Sequence, residues 1–305
     1  MSAESTTTES ESALQQEQTT PACVMSFNAS DPSGAGGMAG DVATISAMGA
    51  HALPVVTSIV MRDTAEVFDH HAIDADVVVE QARSVLEDIT LAAWKVGFLG
   101  SAEGVSAVAE ILSDYPDVPL VAYMPNLSWL EEDAQQAYLD AFRELILPQT
   151  EVLVGSHQTL TNFLLPDWEG ERPASPRELA VAAGEHGTRF VLVTSVLITS
   201  SKTPDQFLDN VLASPQGAVT GEKFERFEVS FVGAADLPGC GLAAGVRLRV
   251  AGRRRRGPHL PRPSARCRLP ARHGQCHPRP LLLGAAAGRR RRRRRRRRRH
   301  RQRRR

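Results

Sequence analysis

Fifteen residues, Phe27-Asn28-Ala29-Ser30-Asp31-Pro32-Ser33-Gly34-Ala35-Gly36-Gly37-Met38-Ala39-Gly40-Asp41, carry four glycines between two apolar segments. Ahead of them, Cys23-Val24-Met25 reads as the end of a short buried strand. Behind them, Val42, Ile45, Ser46, Ala47 and Met48 fall at helical spacing until Gly49 stops the run. The stretch is thus a strand-to-helix turn. Its glycines let a ligand approach the main chain, and the first N–H groups of the helix are available to an anion or a polar group.

From there the chain alternates apolar strand-like runs with helical patterns, which predicts an α/β fold: a doubly wound, mostly parallel sheet with helices on both faces. Strands are expected at Val55–Met61, Ala93–Gly97, Leu120–Tyr123, Glu151–Val154 and Phe190–Val193. Helices are expected at Asp41–Met48, Asp74–Asp88, Gly104–Asp114, Glu131–Leu147 and Pro176–His186, the last with Ser175 as N-cap and Pro176 at the first helical position. Residues 22–246 are enough for one core and form one expected domain.

The ends read differently. Residues 1–21 are Ser, Thr, Glu and Gln with little to bury, the composition of a disordered leader. A formal charge of +1 hides a larger asymmetry: residues 247–305 hold 26 Arg, no Lys and no acid, leaving 10 basic residues against all 35 acids in the body. The last acid is Asp236, and eleven consecutive Arg run from Arg289 to Arg299. The tail reads either as a shifted reading frame beginning near Asp236 or as a nonspecific nucleic-acid-binding segment; no aromatic is interleaved with its cations to support more. With no secretion signal, no apolar run of membrane-spanning length and only four cysteines, a cytoplasmic protein without a disulfide framework or membrane contact is expected. Cys267 and Cys276-His277 have no usual zinc spacing, and no metal site is assigned. His70-His71 beside Asp69 reads as a solvated turn, His157 and His186 as surface residues in loops, and Trp94, Trp129 and Trp168 as packing anchors.

Three readings of the glycine turn compete. One is tight crossover packing alone. Another is a dinucleotide site, since Gly34, Gly36 and Ala39 fit G-x-G-x-x-A and Asp63 follows at the end of the next strand. Asp31 and Asp41, however, flank the place of a pyrophosphate and suit a neutral, hydrogen-bonding ligand better. The third rests on likeness. "ASDPSGAGGMAGDVATISAMGAHALPVVTSIVMRDT" resembles the substrate loop of hydroxymethylpyrimidine and phosphomethylpyrimidine kinases, members of the ribokinase-like superfamily. "WKVGFLGSAEGVSAVAEIL", "LILPQTEVLV" and "VGAAD" resemble further family segments in the same order, covering about Ala22 to Ala244.

That resemblance implies ATP- and Mg2+-dependent phosphorylation of hydroxymethylpyrimidine or its phosphate for thiamine synthesis. It implies that Asp41 meets the amino edge of the pyrimidine, that Ala29, Asp31 and Gly34 shape the same pocket, and that Arg62 stands where the family has a glutamine. Gly233, Ala234 and Ala235 would form an anion hole ahead of Asp236, the expected base, with Cys240 as the alternative. "GAADL" also resembles pyridoxal kinases, the second enzyme reading; a pyrimidine-binding protein without activity is the reading of another class. Self-association is left open. On the nucleotide side the chain departs from the family: Tyr123-Met124-Pro125-Asn126 lacks an acid, Gly155-Ser156-His157-Gln158-Thr159 lacks the Asn and Glu, and Val193-Thr194-Ser195-Val196-Leu197 lacks the Lys.

Overall fold

The computed structural model describes residues 21–34, 36–63, 66–197 and 207–225. Leader, tail and the segment from Gly233 to Cys240 lie outside them. Among the described residues nine strands form one sheet in the order β3-β2-β1-β4-β5-β6-β7-β8-β9. These are β1 (Cys23–Ser30), β2 (His51–Arg62), β3 (Val67–Ala72), β4 (Ala93–Val96), β5 (Leu120–Tyr123), β6 (Thr150–Ser156), β7 (Phe190–Leu197), β8 (Phe207–Ser214) and β9 (Gly217–Glu225). Pairing is parallel from β2 through β1, β4, β5 and β6 to β7, while β3, β8 and β9 are antiparallel additions at the two sides. Between β1 and β4 the winding reverses, because β2 lies to one side of β1 and all later parallel strands lie to the other. A doubly wound sheet opens a ligand crevice at the carboxyl ends of its strands at this reversal.

Among the described residues six α-helices connect the strands: α1 (Gly37–Ala47), α2 (Ala75–Leu86), α3 (Ala102–Ser113), α4 (Glu132–Ala141), α5 (His157–Leu164) and α6 (Pro176–Glu185). The larger core joins Phe27, Trp94 and Leu153 of the sheet to Val78 of α2, Val105 and Ile111 of α3, Tyr138 of α4, Leu160 of α5 and Leu179 of α6. The opposite face carries Val24, Ala93, Val121, Val152 and Val154, packed with Ile45 of α1. Alternation along β1 and β4 divides the faces. Met25, Phe27, Trp94 and Val96 enter the larger core, so Ser26, Asn28 and Lys95 point to the α1 side.

Sequence-visible caps set several helix starts. Ser101 accepts from the Gly104 N–H at 3.1 Å and Ser156 from the Thr159 N–H at 3.1 Å. At α6, Ser175 and Glu178 form a reciprocal capping box, with Arg172 fastened to the Glu178 carboxylate at 2.7 and 2.9 Å.

Several expectations need correction. The first strand does not end at Met25 but runs on to Ser30, taking in half of the supposed loop. The inward stripe of α1 is Met38, Asp41 and Ile45; Val42 and Met48 are 36% and 42% exposed. Helical spacing of three and four places Asp41 on the sheet side of α1, fully buried. His70-His71 belongs to β3 rather than to a turn, and His157 opens α5 with Nε2 2.6 Å from the Ala174 carbonyl. The helix expected at Glu131–Leu147 becomes α4, a π turn (Phe142–Ile146) and a 3-10 turn ending before β6. β3, α5, β8 and β9 are additions.

Candidate active site

Of the sequence-selected residues of the substrate half, Ala29 and Arg62 lie toward the carboxyl ends of β1 and β2, Asp31 and Gly34 on the turn between β1 and α1, and Asp41 within α1 itself. Asp31 folds the turn on itself: its Oδ1 accepts from the Ser33 N–H at 2.8 Å and its carbonyl from the Gly34 N–H at 3.1 Å. Gly34 has φ +68°, and a Cβ placed there meets nothing within 4 Å, so this point of the turn is open. Gly37 has φ +59°, and its Cβ would stand 2.5 Å from the Ala29 carbonyl oxygen and 2.9 Å from Asp31 Cβ. Only glycine permits both that conformation and that approach. Gly36 precedes α1 with no side-chain cap. The helix therefore starts with main-chain N–H groups that no capping side chain takes up.

Arg62, at the end of β2, extends to this turn. Its Nη1 is 3.4 Å from Asp31 Oδ2, and the side chains are 12% and 8% exposed. Nε donates to the Asp63 carbonyl at 3.0 Å. Asp63 itself closes the hairpin to β3, accepting from the Glu66 N–H at 3.0 Å.

Asp41 lies beneath the turn, fully buried. Both its oxygens accept from Lys95 Nζ, at 2.9 and 3.0 Å, and Lys95 is also fully buried. Ser26 Oγ donates to Asp41 Oδ2, as does Asn28 Nδ2 at 3.0 Å. Two buried charges are tolerated because each faces the other and the carboxylate has further donors. Asn28 turns its Oδ1 to the N–H groups of Ala29, at 2.9 Å, and Phe98, at 3.1 Å. Phe98 belongs to the segment Gly97–Gly100 after β4, where side chains from several elements hold the main chain. Thr57 Oγ1 donates to the Phe98 carbonyl at 2.6 Å, Tyr138 Oη accepts from the Leu99 N–H at 3.1 Å, and His70 Nε2 lies 2.9 Å from the Gly100 carbonyl. Burial pushes the Tyr138 phenol well above its ordinary range, so it stays a neutral hydroxyl. His70, Phe98 and Trp129 meet edge to face with centroids 5.2–5.4 Å apart, forming one aromatic wall beside the segment.

Where the family resemblance would place a nucleotide, the strand ends carry neutral groups bonded within the protein. Asn126 Oδ1 accepts from the Ser128 N–H at 2.9 Å, Ser156 and Thr159 share a 2.8 Å bond, and Thr194 Oγ1 donates to the Gly155 carbonyl at 3.2 Å. Ser195 has φ +60°, the one positive φ on a non-glycine among the described residues; its N–H donates to Asn210 Oδ1 at 3.0 Å. Among the described residues no group of three or more His, Cys, Asp or Glu is placed to hold a metal ion. At these strand ends the described residues present hydroxyls and an amide rather than carboxylates.

Sequence reasoning singled out Ala29, Asp31, Gly34, Asp41 and Arg62, which the structure gathers around one turn. It assigned nothing to Ser26, Asn28, Thr57, His70, Lys95 or Tyr138. The signal for Lys95 was present: a lysine in the otherwise apolar strand Ala93–Val96 requires a buried counter-charge. Asp236, Cys240, Gly233, Ala234 and Ala235 lie outside the described residues.

A doubly wound sheet with a glycine turn and an uncapped helix start at its reversal defines the class of α/β proteins that bind small polar molecules at strand ends. Comparison with known proteins narrows this. The family model for phosphomethylpyrimidine kinase matches residues 31–249, and the chain belongs to that family. It is 28% identical over 244 residues to the hydroxymethylpyrimidine/phosphomethylpyrimidine kinase of Mycobacterium leprae, covering 76% of this chain and 82% of that one. Over 185 residues it is 32% identical to the Mycobacterium tuberculosis protein of the same description, covering 60% and 66%. It spans only 30% of the thiamine biosynthesis multifunctional protein of Corynebacterium efficiens, at 27% identity over 74% of this chain. Among solved structures, the Clostridium difficile phosphomethylpyrimidine kinase superposes with TM-score 0.57 at 18% identity, covering 74% of this chain and 91% of that one. The Bacillus subtilis pyridoxal kinase in its ADP complex superposes with TM-score 0.61 at 18% identity, covering 74% and 84%. These two likenesses show the ribokinase-like fold. Family membership sets aside the dinucleotide reading, and the role of Asp63 in the hairpin turn agrees with that.

Proposed function

We propose that the chain transfers the terminal phosphoryl group of ATP to the hydroxymethyl group of a pyrimidine, or to the phosphate of its monophosphorylated form. The observation that supports this best is where the family match begins: it opens on Asp31 and the open glycine turn at the reversal of the sheet. In this reading the ring lies against the Gly97–Gly100 segment and the turn, with Ala29, Asp31 and Gly34 around it. Asp41 supports the pocket from below, and the Arg62 cation favours the phosphorylated form of the substrate. Asp236 takes the proton of the hydroxymethyl group as its oxygen attacks the γ-phosphorus. The bond from that phosphorus to the bridging oxygen of ADP breaks, and the N–H groups of Gly233 to Asp236 stabilise the charge on the migrating group. Mg2+ is the cation this chemistry calls for.

Calorimetry on the full chain with 4-amino-5-hydroxymethyl-2-methylpyrimidine, its phosphate, pyridoxal, ATP and NAD, followed by an assay for ADP release, tests the reading. Binding of either pyrimidine with ADP release is expected. Binding of pyridoxal alone assigns the chain to the vitamin B6 kinases, and pyrimidine binding without turnover makes it a binding protein. Asp236→Asn is expected to lower turnover about 10²–10⁴-fold while leaving pyrimidine affinity unchanged. A dead Cys240→Ala beside an unaffected Asp236→Asn moves the role to Cys240.

A further inference from the structure

The crevice of this sheet contains a polar wedge. Backbone pairing between β1 and β4 ends at Phe27 and Val96, and the next residue of β1, Asn28, is 3% exposed. Its side chain occupies the gap where the strands part: a Cβ on Gly97 would stand 2.4 Å from both Asn28 Cγ and Oδ1. Glycine at position 97 is therefore the complement of an amide at position 28. The amide also has a set direction. Its Nδ2 donates to Asp41, which is held by Lys95, so Oδ1 faces the other way, to the N–H groups of Ala29 and Phe98. One buried charge pair thus orients one amide, and that amide fixes a peptide group on each side of the strand reversal, where a ligand crevice opens.

We propose that Asn28 is a positioning residue of the acceptor pocket: its amide, oriented by the Asp41–Lys95 pair, sets the separation of the Ala29 and Phe98 main chains between which the substrate ring is held. This rests on the functional reading above for the identity of the ligand, but not for the wedge itself. Neither Asp41 nor Lys95 then touches substrate. Each acts through Asn28, and a bonded wedge holds the crevice open at one width where a packed side chain would leave it free to close.

The test separates hydrogen bonding from space filling. Asn28→Ala removes the wedge, Gly97→Ala collides with it, and the double variant returns part of the lost volume without the bonds. Pyrimidine affinity and ATP affinity are measured by calorimetry, stability by urea unfolding, and protection of the Ala29 and Phe98 amides by hydrogen exchange, all on the full chain. Asn28→Ala is expected to weaken pyrimidine binding about tenfold or more, a loss equivalent to one hydrogen bond. ATP affinity should stay unchanged, and exchange at the Ala29 and Phe98 amides should speed up. The double variant is expected to regain part of the lost stability but not pyrimidine affinity. Recovery of both makes Asn28 a space-filling residue and overturns the proposal, as does unchanged amide protection in Asn28→Ala. Should Asn28→Ala not fold, Asn28→Ser carries the same outcomes. If the unaltered chain binds no pyrimidine, the functional reading fails, while the exchange measurement, which needs no ligand, still decides the wedge.

Discussion

Lys95 Nζ lies 2.9 Å from Asp41 Oδ1 and 3.0 Å from Oδ2, and both side chains are shielded from solvent. Removing one partner leaves the other charged and buried, which costs on the order of 3–5 kcal/mol. Lys95→Met is therefore expected to destabilise by about that amount, and the double variant Lys95→Met with Asp41→Leu to recover most of it. Urea unfolding monitored by circular dichroism of all three variants provides the check; a Lys95→Met protein as stable as the original refutes the account.

Arg62 and Asp31 form a different kind of pair. At 3.4 Å, with other partners for both groups, it is a weak contact although the two side chains are only 12% and 8% exposed. Arg62→Gln is expected to leave stability nearly unchanged and to alter ligand preference: affinity for the phosphorylated pyrimidine falls about tenfold or more, and affinity for the uncharged alcohol does not fall. Parallel calorimetric titrations with the two ligands measure this.

Ser195 is held at φ +60°, where a Cβ crowds the backbone. Glycine adopts that conformation without the crowding, so Ser195→Gly is expected to stabilise the chain by about 0.5–1 kcal/mol. The midpoint of thermal unfolding reports it, and a lower midpoint shows that the serine contributes more through its surroundings than it costs in strain.

Glu178 sets a pH dependence at low pH. The Arg172 guanidinium, followed by the Ser175 N–H and hydroxyl, pulls its carboxyl from an ordinary 4.5 down to about 2. A depressed folded value means that the stabilising contribution is complete above about pH 4.5 and disappears as pH falls toward 2. Thermal midpoints of the original and Glu178→Gln proteins should therefore differ near neutral pH and converge toward pH 2. A difference that persists at the lowest pH contradicts the assignment.

The arginine-rich segment makes a prediction of its own. Eleven consecutive arginines bind polyanions by counterion release, so the full chain is expected to be retained on heparin and released by salt. A chain ending at Val246, with the charge of the acidic body alone, should flow through. Translation of the other two frames around codons 234–240 tests the origin of the segment: an open frame with acids and helical periodicity supports a frame shift, and its absence leaves the basic segment as the gene's own product.

Sequence alone determined the parallel α/β arrangement, because an apolar run flanked by helical periodicity is a local property that each segment carries by itself. The glycine turn was legible for the same reason: conformations that favour glycine leave a mark at single positions, as at Gly34 and Gly37. Family likeness in the segments around Asp31 and Lys95 added the class of ligand. What tertiary structure decided was the partnering. Asp41 read as an acid beside a ligand until the face of α1 was known, since one turn of a helix separates solvent from core. Lys95 lies 54 residues from Asp41 and Phe98 lies 70 from Asn28, and no local pattern reports a bond between residues so far apart. The strand β3 escaped notice because Val67–Ala72 is polar on much of its surface and is ordered by pairing with β2 and by the contacts of His70 with Gly100, Phe98 and Trp129. Local chemistry fixes which element a segment becomes; the energy of a buried charge or a bridging amide depends on what the rest of the chain brings to it.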